Sequence, residues 1–282
     1  MHLFDEISFK TSKLVTTTYS TSFSIAVGFL SKEMQYSLCS IYGFVRYADE
    51  IVDTFHHVNQ KIILDNFERD FRESLAFGIS MNPILHSFAI TVKKYNIPVH
   101  LADSFLKSMR ADLIKHNYDE AGELNEYIYG SADVVGLMCL MVFVNGDQNL
   151  YKRMEKPAMK LGSAFQKVNF LRDLKEDIEQ LDRCYFPGLN KDFFNETTKK
   201  KLILDIESDF FEAEEGIKEL PGKSKLAVFT AFLYYKHLLK KLKKTPANKI
   251  MQTRIRVSDR IKLYLLVKAY MKYHLNSISF SK

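Results

Sequence analysis

Apolar residues recur at spacings of three and four along most of the chain, which is typical of helices with one buried face. The pattern is clear in Leu38, Ile41, Tyr42 and Val45, and it returns across residues 261–270. Gly, Pro or Asn interrupts it at intervals, and these breaks predict about eight to ten helices. The breaks lie near residues 28–31, 56–60, 82–83, 96–98, 145–147, 186–190, 220–223 and 245–248. Since no convincing pair of alternating strands occurs, we predict an all-α bundle.

The composition favours one helical domain. The 282 residues are 46% apolar, which suffices for a sizeable core, and they include only 11 glycines and 6 prolines. No internal repeat, low-complexity tract or flexible linker separates two domains. Residues 1–282 are therefore predicted to form a single all-helical domain.

Several features indicate a cytoplasmic protein. Asp5 and Glu6 stand where a signal peptide would carry basic residues. The longest apolar run, residues 134–144, is shorter than the roughly 18 to 20 residues of a membrane-spanning helix. The 3 cysteines are an odd number without paired spacing, which argues against a disulfide framework or a zinc site.

Charge is segregated along the chain. Residues 222–282 contain 15 Lys and Arg and a single acid, Asp259, so the preceding residues carry a net negative charge. A basic end of this kind can meet nucleic acid, an anionic bilayer or a phosphorylated substrate, although most of these lysines are expected to be solvated. We expect no nucleic-acid partner. Peripheral contact with the inner face of the membrane is predicted instead, through the basic residues 236–256.

Two pairs of aspartates share the spacing of one helical turn. Asp49 and Asp53 form the first pair, and Asp173 and Asp177 form the second. At this spacing both carboxylates leave one face of a helix, about 6 Å apart along its axis. Each helix therefore presents two acids in one direction.

Neighbouring polar residues distinguish these pairs from chance. Arg46 lies three residues before the first pair, and Asn169 lies four before the second, so both extend the acidic stripes. Asp205 and Asp209 have the same spacing but lack these neighbouring polar residues, and they serve as an internal control. The context, rather than the spacing alone, indicates a functional role.

The chemistry that suits these stripes is magnesium and diphosphate binding. Carboxylates that face each other in a bundle repel and lose hydration unless cations neutralise them. A donor set of oxygens alone suits Mg²⁺, which keeps waters and often bridges phosphate oxygens. Arg46, Arg172 and the C-terminal bases can add charge-assisted hydrogen bonds to a diphosphate. The implied reaction is an ionisation in which diphosphate leaves.

These motifs resemble those of the squalene and phytoene synthase family, and of bacterial phytoene synthases most. The first aspartate signature is present as Tyr42, Arg46, Asp49, Glu50 and Asp53, and the second as Asn169, Arg172, Asp173 and Asp177. Further similarity lies in Ser22-Phe23, residues 127–136, Gln166, residues 183–187, residues 254–258 and Lys262-Leu263. The resemblance spans roughly residues 15–265.

The chain departs from the family pattern at two places. Ser131 and Asp133 stand where many members have Val and Gly, which predicts a slightly different pocket wall. Eight steps separate Asp177 from Tyr185, one more than in some relatives. Neither departure removes an expected metal ligand.

The resemblance implies a helical bundle of the class I isoprenoid synthase type with a central apolar cavity. It also implies a prenyltransferase of carotenoid biosynthesis that joins two geranylgeranyl diphosphates head to head, through a cyclopropylcarbinyl diphosphate, to phytoene. Several Mg²⁺ ions are the expected cofactors. The alternative within the family makes squalene or dehydrosqualene from farnesyl diphosphate, and NADPH is expected only for squalene.

The resemblance assigns roles residue by residue. The expected metal ligands are Asp49, Asp53, Asn169, Asp173 and Asp177. The expected catalytic residues are Asp49, Asp53, Asp173, Asp177 and Tyr127. The expected substrate-binding residues are Ser22, Phe23, Tyr42, Arg46, Gln166, Arg172, Tyr235 and Arg254.

Some of these assignments have structural alternatives. Tyr42, Tyr127 and Tyr235 either contact diphosphate or a cation, or are core aromatics with satisfied hydroxyls. Arg46 either binds diphosphate or steadies its helix by pairing with Asp49 or Glu50.

Two other functions are consistent with the motifs. One is a non-catalytic assembly or membrane-docking protein derived from the family, and the other is a terpene cyclase that ionises a single substrate. The sequence leaves the oligomeric state, the substrate chain length and the product isomer open.

Overall fold

The structure is a computed structural model that describes residues 2–115, 117–118, 120–180, 183–186 and 194–275. The described residues are mostly helical and contain no strand; an isolated bridge joins Asn117 and Cys184. The all-α prediction is therefore confirmed.

The helices begin and end close to the predicted breaks. They are α1 (Leu3–Tyr19), α2 (Thr21–Val27), α3 (Lys32–Asp53), α4 (Gln60–Phe77), α5 (Pro83–Tyr95), α6 (Val99–Asp112), α7 (Ala121–Ile128), a π-helical turn (Tyr129–Asp133), α8 (Val134–Phe143), α9 (Gln148–Gln180), α10 (Glu196–Glu219), α11 (Gly222–Lys244), α12 (Ala247–Ile250) and α13 (Asp259–His274). These thirteen α-helices in the described ranges exceed the predicted number, because some are short or follow breaks without Gly or Pro, as at Ser20. The predicted break at residues 186–190 falls largely outside the described residues.

The chain divides into two compact units. The first unit contains residues 1–114 and 134–155, and the second contains residues 115–133 and 156–282. The predicted single domain over residues 1–282 requires the two units to form one domain, and it stays a prediction.

The first unit is built around α3. Helices α1, α4, α5, α6 and α8 all pack against it. Phe44 of α3 is fully buried, and its ring centroid lies 4.2 Å from that of Phe88 and 5.1 Å from that of Phe71. Burial of such large rings removes much apolar area from water and fixes the position of α3.

Small polar residues allow α1, α3 and α5 to approach closely. The hydroxyls of Ser12 and Ser87 are 2.7 Å apart, and those of Ser40 and Thr91 are also 2.7 Å apart, all buried. A Cβ at Gly43 would lie 3.3 Å from Ser12 Oγ. Because each buried hydroxyl has a partner, this tight contact avoids the penalty of an unsatisfied polar group.

The second unit contains most of α9 together with α10, α11 and α13. Helix α11 packs against both α10 and α13. Pro157 stands inside α9 and lies against Gly216 of α10, where an added Cβ would come within 2.5 Å of the Pro157 Cβ. Glycine at 216 is therefore what lets the backbone of α10 approach the proline ring.

Among the described residues, one helical stretch is long and apolar enough to cross a membrane. It runs over Gly122–Phe143, and 56% of its apolar window is buried inside the structure. Core helices of soluble proteins share this composition, so the stretch is weak evidence for a membrane span.

Candidate active site

The first aspartate signature occupies the last turns of α3. Tyr42, Arg46, Asp49 and Asp53 follow one another at spacings of four, three and four, which places them on one side of the helix. Phe44, Ala48, Ile51 and Val52 are buried on the other side and anchor the helix in the first unit. The polar stripe is thus held by a rigid element.

Acids crowd around Asp49. Burial raises the pKa of its carboxyl to about 8, and the charges of Asp53, Asp112 and Glu50 add to the rise while Arg46 opposes it. A carboxyl in such surroundings resists ionisation until a cation arrives. The oxygen donors and the excess of negative charge fit a divalent cation such as Mg²⁺.

Asp112 belongs to this acidic group, although no motif marks it. It is the last residue of α6 and is 4% exposed. It continues the buried stripe formed by Leu101, Phe105 and Met109. The sequence signal for Asp112 is an acid at the position where the next apolar residue of this helix face is expected.

Arg46 pairs with Glu50. Glu50 is one of the two acids that were expected to pair with Arg46 if this arginine steadies its helix. Its guanidinium donates to Glu50 Oε1 and lies 4.4 Å above the Tyr19 ring. Arg46 Nε is buried and makes no hydrogen bond to the described residues. The side chain therefore steadies the helix and also keeps a donor that a phosphate oxygen can accept from.

Phe23 lies beside Tyr42, the first residue of this stripe. Their ring centroids are 5.4 Å apart in a stacked arrangement. Ser20 caps α2 by accepting the Phe23 N–H, which fixes the start of the short helix. Ser22, half-buried, directly precedes Phe23 in the first turn of α2.

The second signature lies on α9 in the second unit. Gln166, Asn169, Asp173 and Asp177 follow at spacings of three and four and are all partly exposed. Val168, Leu171 and Leu174 are buried. This helix therefore presents a polar stripe of the same kind as α3.

Two arginines hold Asp173. Arg172 donates from Nε to Asp173 Oδ1 at 2.8 Å and makes a second hydrogen bond from Nη2 to Oδ2. Arg254 Nε lies 2.8 Å from the same Oδ1, and Arg254 Nη1 donates to Glu176 at 2.9 Å. Burial lowers the pKa of the Arg172 guanidinium, but its bonds to Asp173 raise the pKa overall. The structure thus brings together three of the predicted residues and adds Glu176, which the motifs did not indicate.

Tyr235 contacts the predicted ligand Asn169. Its hydroxyl donates to Asn169 Oδ1 at 3.3 Å, and its ring stacks on Phe165 with the centroids 3.9 Å apart. Burial raises the pKa of the Tyr235 hydroxyl, so the group stays a donor. This contact orients the amide while leaving its oxygen a second lone pair.

Tyr127 belongs to an aromatic cluster. It is buried, and its ring centroid lies 5.0 Å from that of Tyr118, 5.2 Å from that of Tyr185 and 6.1 Å from that of Phe170. The bridge between Asn117 and Cys184 joins the segments that carry two of these tyrosines. The residue is therefore a core aromatic by its surroundings, and its contact with a substrate cation stays a prediction.

The control pair has a structural role. Lys167, which is 8% exposed, lies 2.5 Å from Asp205 and 2.6 Å from Asp209. Lys160 donates to Asp209 at 2.8 Å. These aspartates are neutralised by lysines within their own unit, which gives the control pair a structural explanation. The functional role of the two signatures stays a prediction.

The first departure from the family pattern, Ser131 and Asp133, lies in the π-helical turn. Asp133 Oδ1 accepts a hydrogen bond from Ser163 at 2.9 Å, and burial raises the pKa of this carboxyl to about 7. A Cβ at Gly162 would lie 3.1 Å from the same oxygen. Ser131 Oγ is buried without a hydrogen-bond partner among the described residues. π-Helical turns often occur at functional sites.

No group of three or more His, Cys, Asp and Glu side chains in the described part of the chain is arranged to hold a metal by itself. Each signature offers its oxygens within one unit, Asp49 and Asp53 in the first and Asn169, Asp173 and Asp177 in the second. The metal assignment therefore stays a prediction, supported by the acid crowding at Asp49.

Comparisons with known proteins identify the family. A family model described as squalene/phytoene synthase matches residues 16–190. A phytoene synthase from Arthrospira platensis is 27% identical over 263 residues, which cover 84% of this chain and 84% of that protein. A solved dehydrosqualene synthase has a TM-score of 0.81 at 22% identity, covering 97% of this chain and 98% of that one. A squalene synthase from Alicyclobacillus acidocaldarius has a TM-score of 0.76 at 20% identity, covering 86% and 96%.

The structural likeness confirms the fold of the class I isoprenoid synthase type. The family model covers more than half of the chain, which is sufficient to establish membership. The chain belongs to the squalene/phytoene synthase family and is a prenyltransferase of that type.

Proposed function

We propose that this enzyme condenses two geranylgeranyl diphosphates head to head into phytoene, in a reaction that depends on Mg²⁺. The observation that carries the proposal is the crowding of Asp49 by other acids on a rigid helix, which a divalent cation would relieve. The phytoene synthases among the relatives, such as that of Arthrospira platensis, support the choice of product.

The expected ligands fit Mg²⁺ by their chemistry. Asp49, Asp53, Asn169, Asp173 and Asp177 supply oxygens only, and this ion prefers such donors. When bound, Mg²⁺ stabilises negative charge on a departing diphosphate.

Three arginines are proposed to bind the phosphate oxygens. Arg46 has a buried Nε donor without a hydrogen-bond partner in the described ranges. Arg172 and Arg254 already meet at Asp173 and can turn their remaining donors to a diphosphate beside it. Planar guanidinium groups suit this task because they bind phosphate with two parallel hydrogen bonds.

Aromatic rings are proposed to face the carbocations. Loss of diphosphate leaves an allylic cation, which alkylates the double bond of the second substrate and gives a tertiary cation. Loss of a proton from this cation to the released diphosphate closes the three-membered ring of the cyclopropylcarbinyl diphosphate. A second ionisation, ring rearrangement and proton loss then leave the central double bond of phytoene. Tyr127, Phe170 and Tyr185 present stacked π-faces that attract positive charge, and their apolar surroundings exclude water.

Incubation of the purified protein with single prenyl diphosphates tests the proposal. We expect phytoene from geranylgeranyl diphosphate with Mg²⁺, no product after chelation with EDTA, and no effect of NADPH. Squalene or dehydrosqualene from farnesyl diphosphate alone would overturn the substrate assignment. A hydrocarbon with the carbon number of one substrate would indicate a cyclase, and no turnover of any prenyl diphosphate would contradict the proposed reaction.

A further inference from the structure

Helix α13 presents a continuous apolar face to solvent. The side chains of this α13 apolar face are Leu263 (61% exposed), Tyr264 (63%), Val267 (49%), Tyr270 (49%) and Met271 (55%). The other four follow Leu263 by one, four, seven and eight residues, so all five lie on one side of the helix. Leu265 and Ala269 are buried, and α13 packs against α11.

Such a face is unusual on a folded chain. Single exposed apolar residues are common, but contiguous patches mark interaction sites. Helix α10 shows the common case, because its exposed Leu204 and Phe211 stand seven residues apart. The α13 apolar face instead continues through two turns of the helix.

The segment that carries the α13 apolar face is strongly basic. The only acid in residues 222–282 is Asp259, and it pairs with Lys262 at 3.0 Å. Lys240 and Lys241 of α11 and Lys268 of α13 all lie near His237: burial lowers the pKa of this histidine most, and the three positive charges lower it further. An apolar centre with a cationic border is the composition of helices that lie in the surface of an anionic bilayer.

We propose that the α13 apolar face docks this protein on an anionic lipid bilayer. Its apolar side chains enter the boundary between headgroups and acyl chains, and the neighbouring lysines contact lipid phosphates. A second copy of the chain fits this face less well, because pairing two such faces brings two cationic borders together. The proposal adds an apolar surface on α13 to the contact predicted at the basic residues 236–256.

The docking is consistent with the proposed function, on which its biological purpose rests. Prenyl diphosphates with long chains, and the hydrocarbon made from them, partition into membranes. An enzyme held at the bilayer surface therefore meets its substrates where they accumulate. Vesicle binding itself needs no substrate, so it can be measured independently of turnover.

Flotation of the full chain with vesicles tests the proposal. We expect the protein to float with vesicles of phosphatidylcholine and phosphatidylglycerol at low salt, and less at high salt because the lysine contribution is screened. The double variant Leu263→Glu/Val267→Glu should bind at least about tenfold more weakly. The matched control Leu204→Glu/Phe211→Glu, with similar exposure on α10, should float like the parent.

A fluorescence reporter covers the case in which the double variant folds poorly. The chain contains no Trp, so Tyr270→Trp introduces a unique probe in the α13 apolar face. Its emission should shift to the blue when anionic vesicles are added, whereas that of Phe211→Trp should not.

Several outcomes would overturn the docking. The docking is wrong if the protein turns over substrate in detergent but stays in the dense fraction with vesicles of either lipid composition, with or without phosphatidylglycerol. Another such outcome is a parent dimer that the double variant converts to a monomer without any vesicle binding, which would assign the face to a second copy. A protein that floats without turnover would instead support docking and count against the proposed reaction.

Discussion

Replacing Asp173 by Asn separates catalysis from folding. The substitution keeps the size of the side chain but removes the charge that Arg172 and Arg254 both contact. Charge-assisted hydrogen bonds contribute roughly twice as much as neutral ones, so we expect a loss of about 1–2 kcal/mol in the free energy of unfolding. This corresponds to a decrease in Tm of roughly 2–6 °C.

The effect of Asp173→Asn on turnover should be much larger. Loss of a ligand carboxylate at the departing diphosphate should lower kcat at least about 1,000-fold, equivalent to about 4 kcal/mol in activation free energy. Diphosphate release from geranylgeranyl diphosphate at saturating Mg²⁺ measures turnover, and far-ultraviolet circular dichroism measures Tm.

Asp205→Asn is the matched control for this experiment. Asp205 has the same four-residue spacing to a second aspartate, but its side chain is 59% exposed and pairs with Lys167. Lys167 keeps Asp209 at 2.6 Å in the variant, so the loss of stability should stay below about 1 kcal/mol. Turnover should be unchanged. If Asp173→Asn keeps more than a tenth of parental turnover, or if both variants lose the same amount, the assigned role of the second signature is wrong.

Three further predictions address positioning, packing and pH. Tyr235→Phe removes the donor to Asn169 and should raise the Mg²⁺ concentration for half-maximal activity about tenfold with little change in Tm; an unchanged Mg²⁺ dependence would contradict the orienting role. Gly216→Ala places a Cβ 2.5 Å from Pro157 Cβ and should destabilise the fold by about 1–3 kcal/mol in thermal denaturation, whereas Gly122→Ala, with nothing within 4 Å, should not. The hydrogen bond from His86 lowers the pKa of Asp5, so it stabilises the fold above the ordinary pKa of 3.8 and this contribution is lost as pH falls through the lowered value. Asp5→Asn should therefore reduce the free energy of unfolding at neutral pH and flatten its decline in acid urea titrations.

The helical periodicity was sufficient to predict the fold class and the placement of both signatures. Spacings of three and four residues match the helical repeat, so the polar stripes of α3 and α9 lie where the sequence predicted them. The start of α2 escaped prediction because Ser20 ends one helix and caps the next without Gly or Pro. Local patterns report secondary structure, but a serine cap between two helices leaves little trace in them.

Contacts between distant segments were beyond the sequence pattern. Glu176 follows Asp173 on α9 as a partly exposed acid outside the motif, and only the fold brings Arg254 to it. Asp112 is similar, because its charge matters through its proximity to Asp49 on another helix. Such residues are found when the tertiary structure places them beside a known motif, since neither spacing nor composition distinguishes them.

The two signatures differ in how their charge is balanced. At the first, Asp49 is surrounded by Asp53, Asp112 and Glu50, and the guanidinium of Arg46 is already bonded to one of these acids. At the second, two guanidinium groups converge on Asp173. A divalent cation therefore relieves repulsion directly at the first signature, whereas at the second it competes with arginines for the carboxylate. A diphosphate that draws those arginines to its own oxygens removes this competition, so substrate and cation should strengthen each other's binding at the second signature.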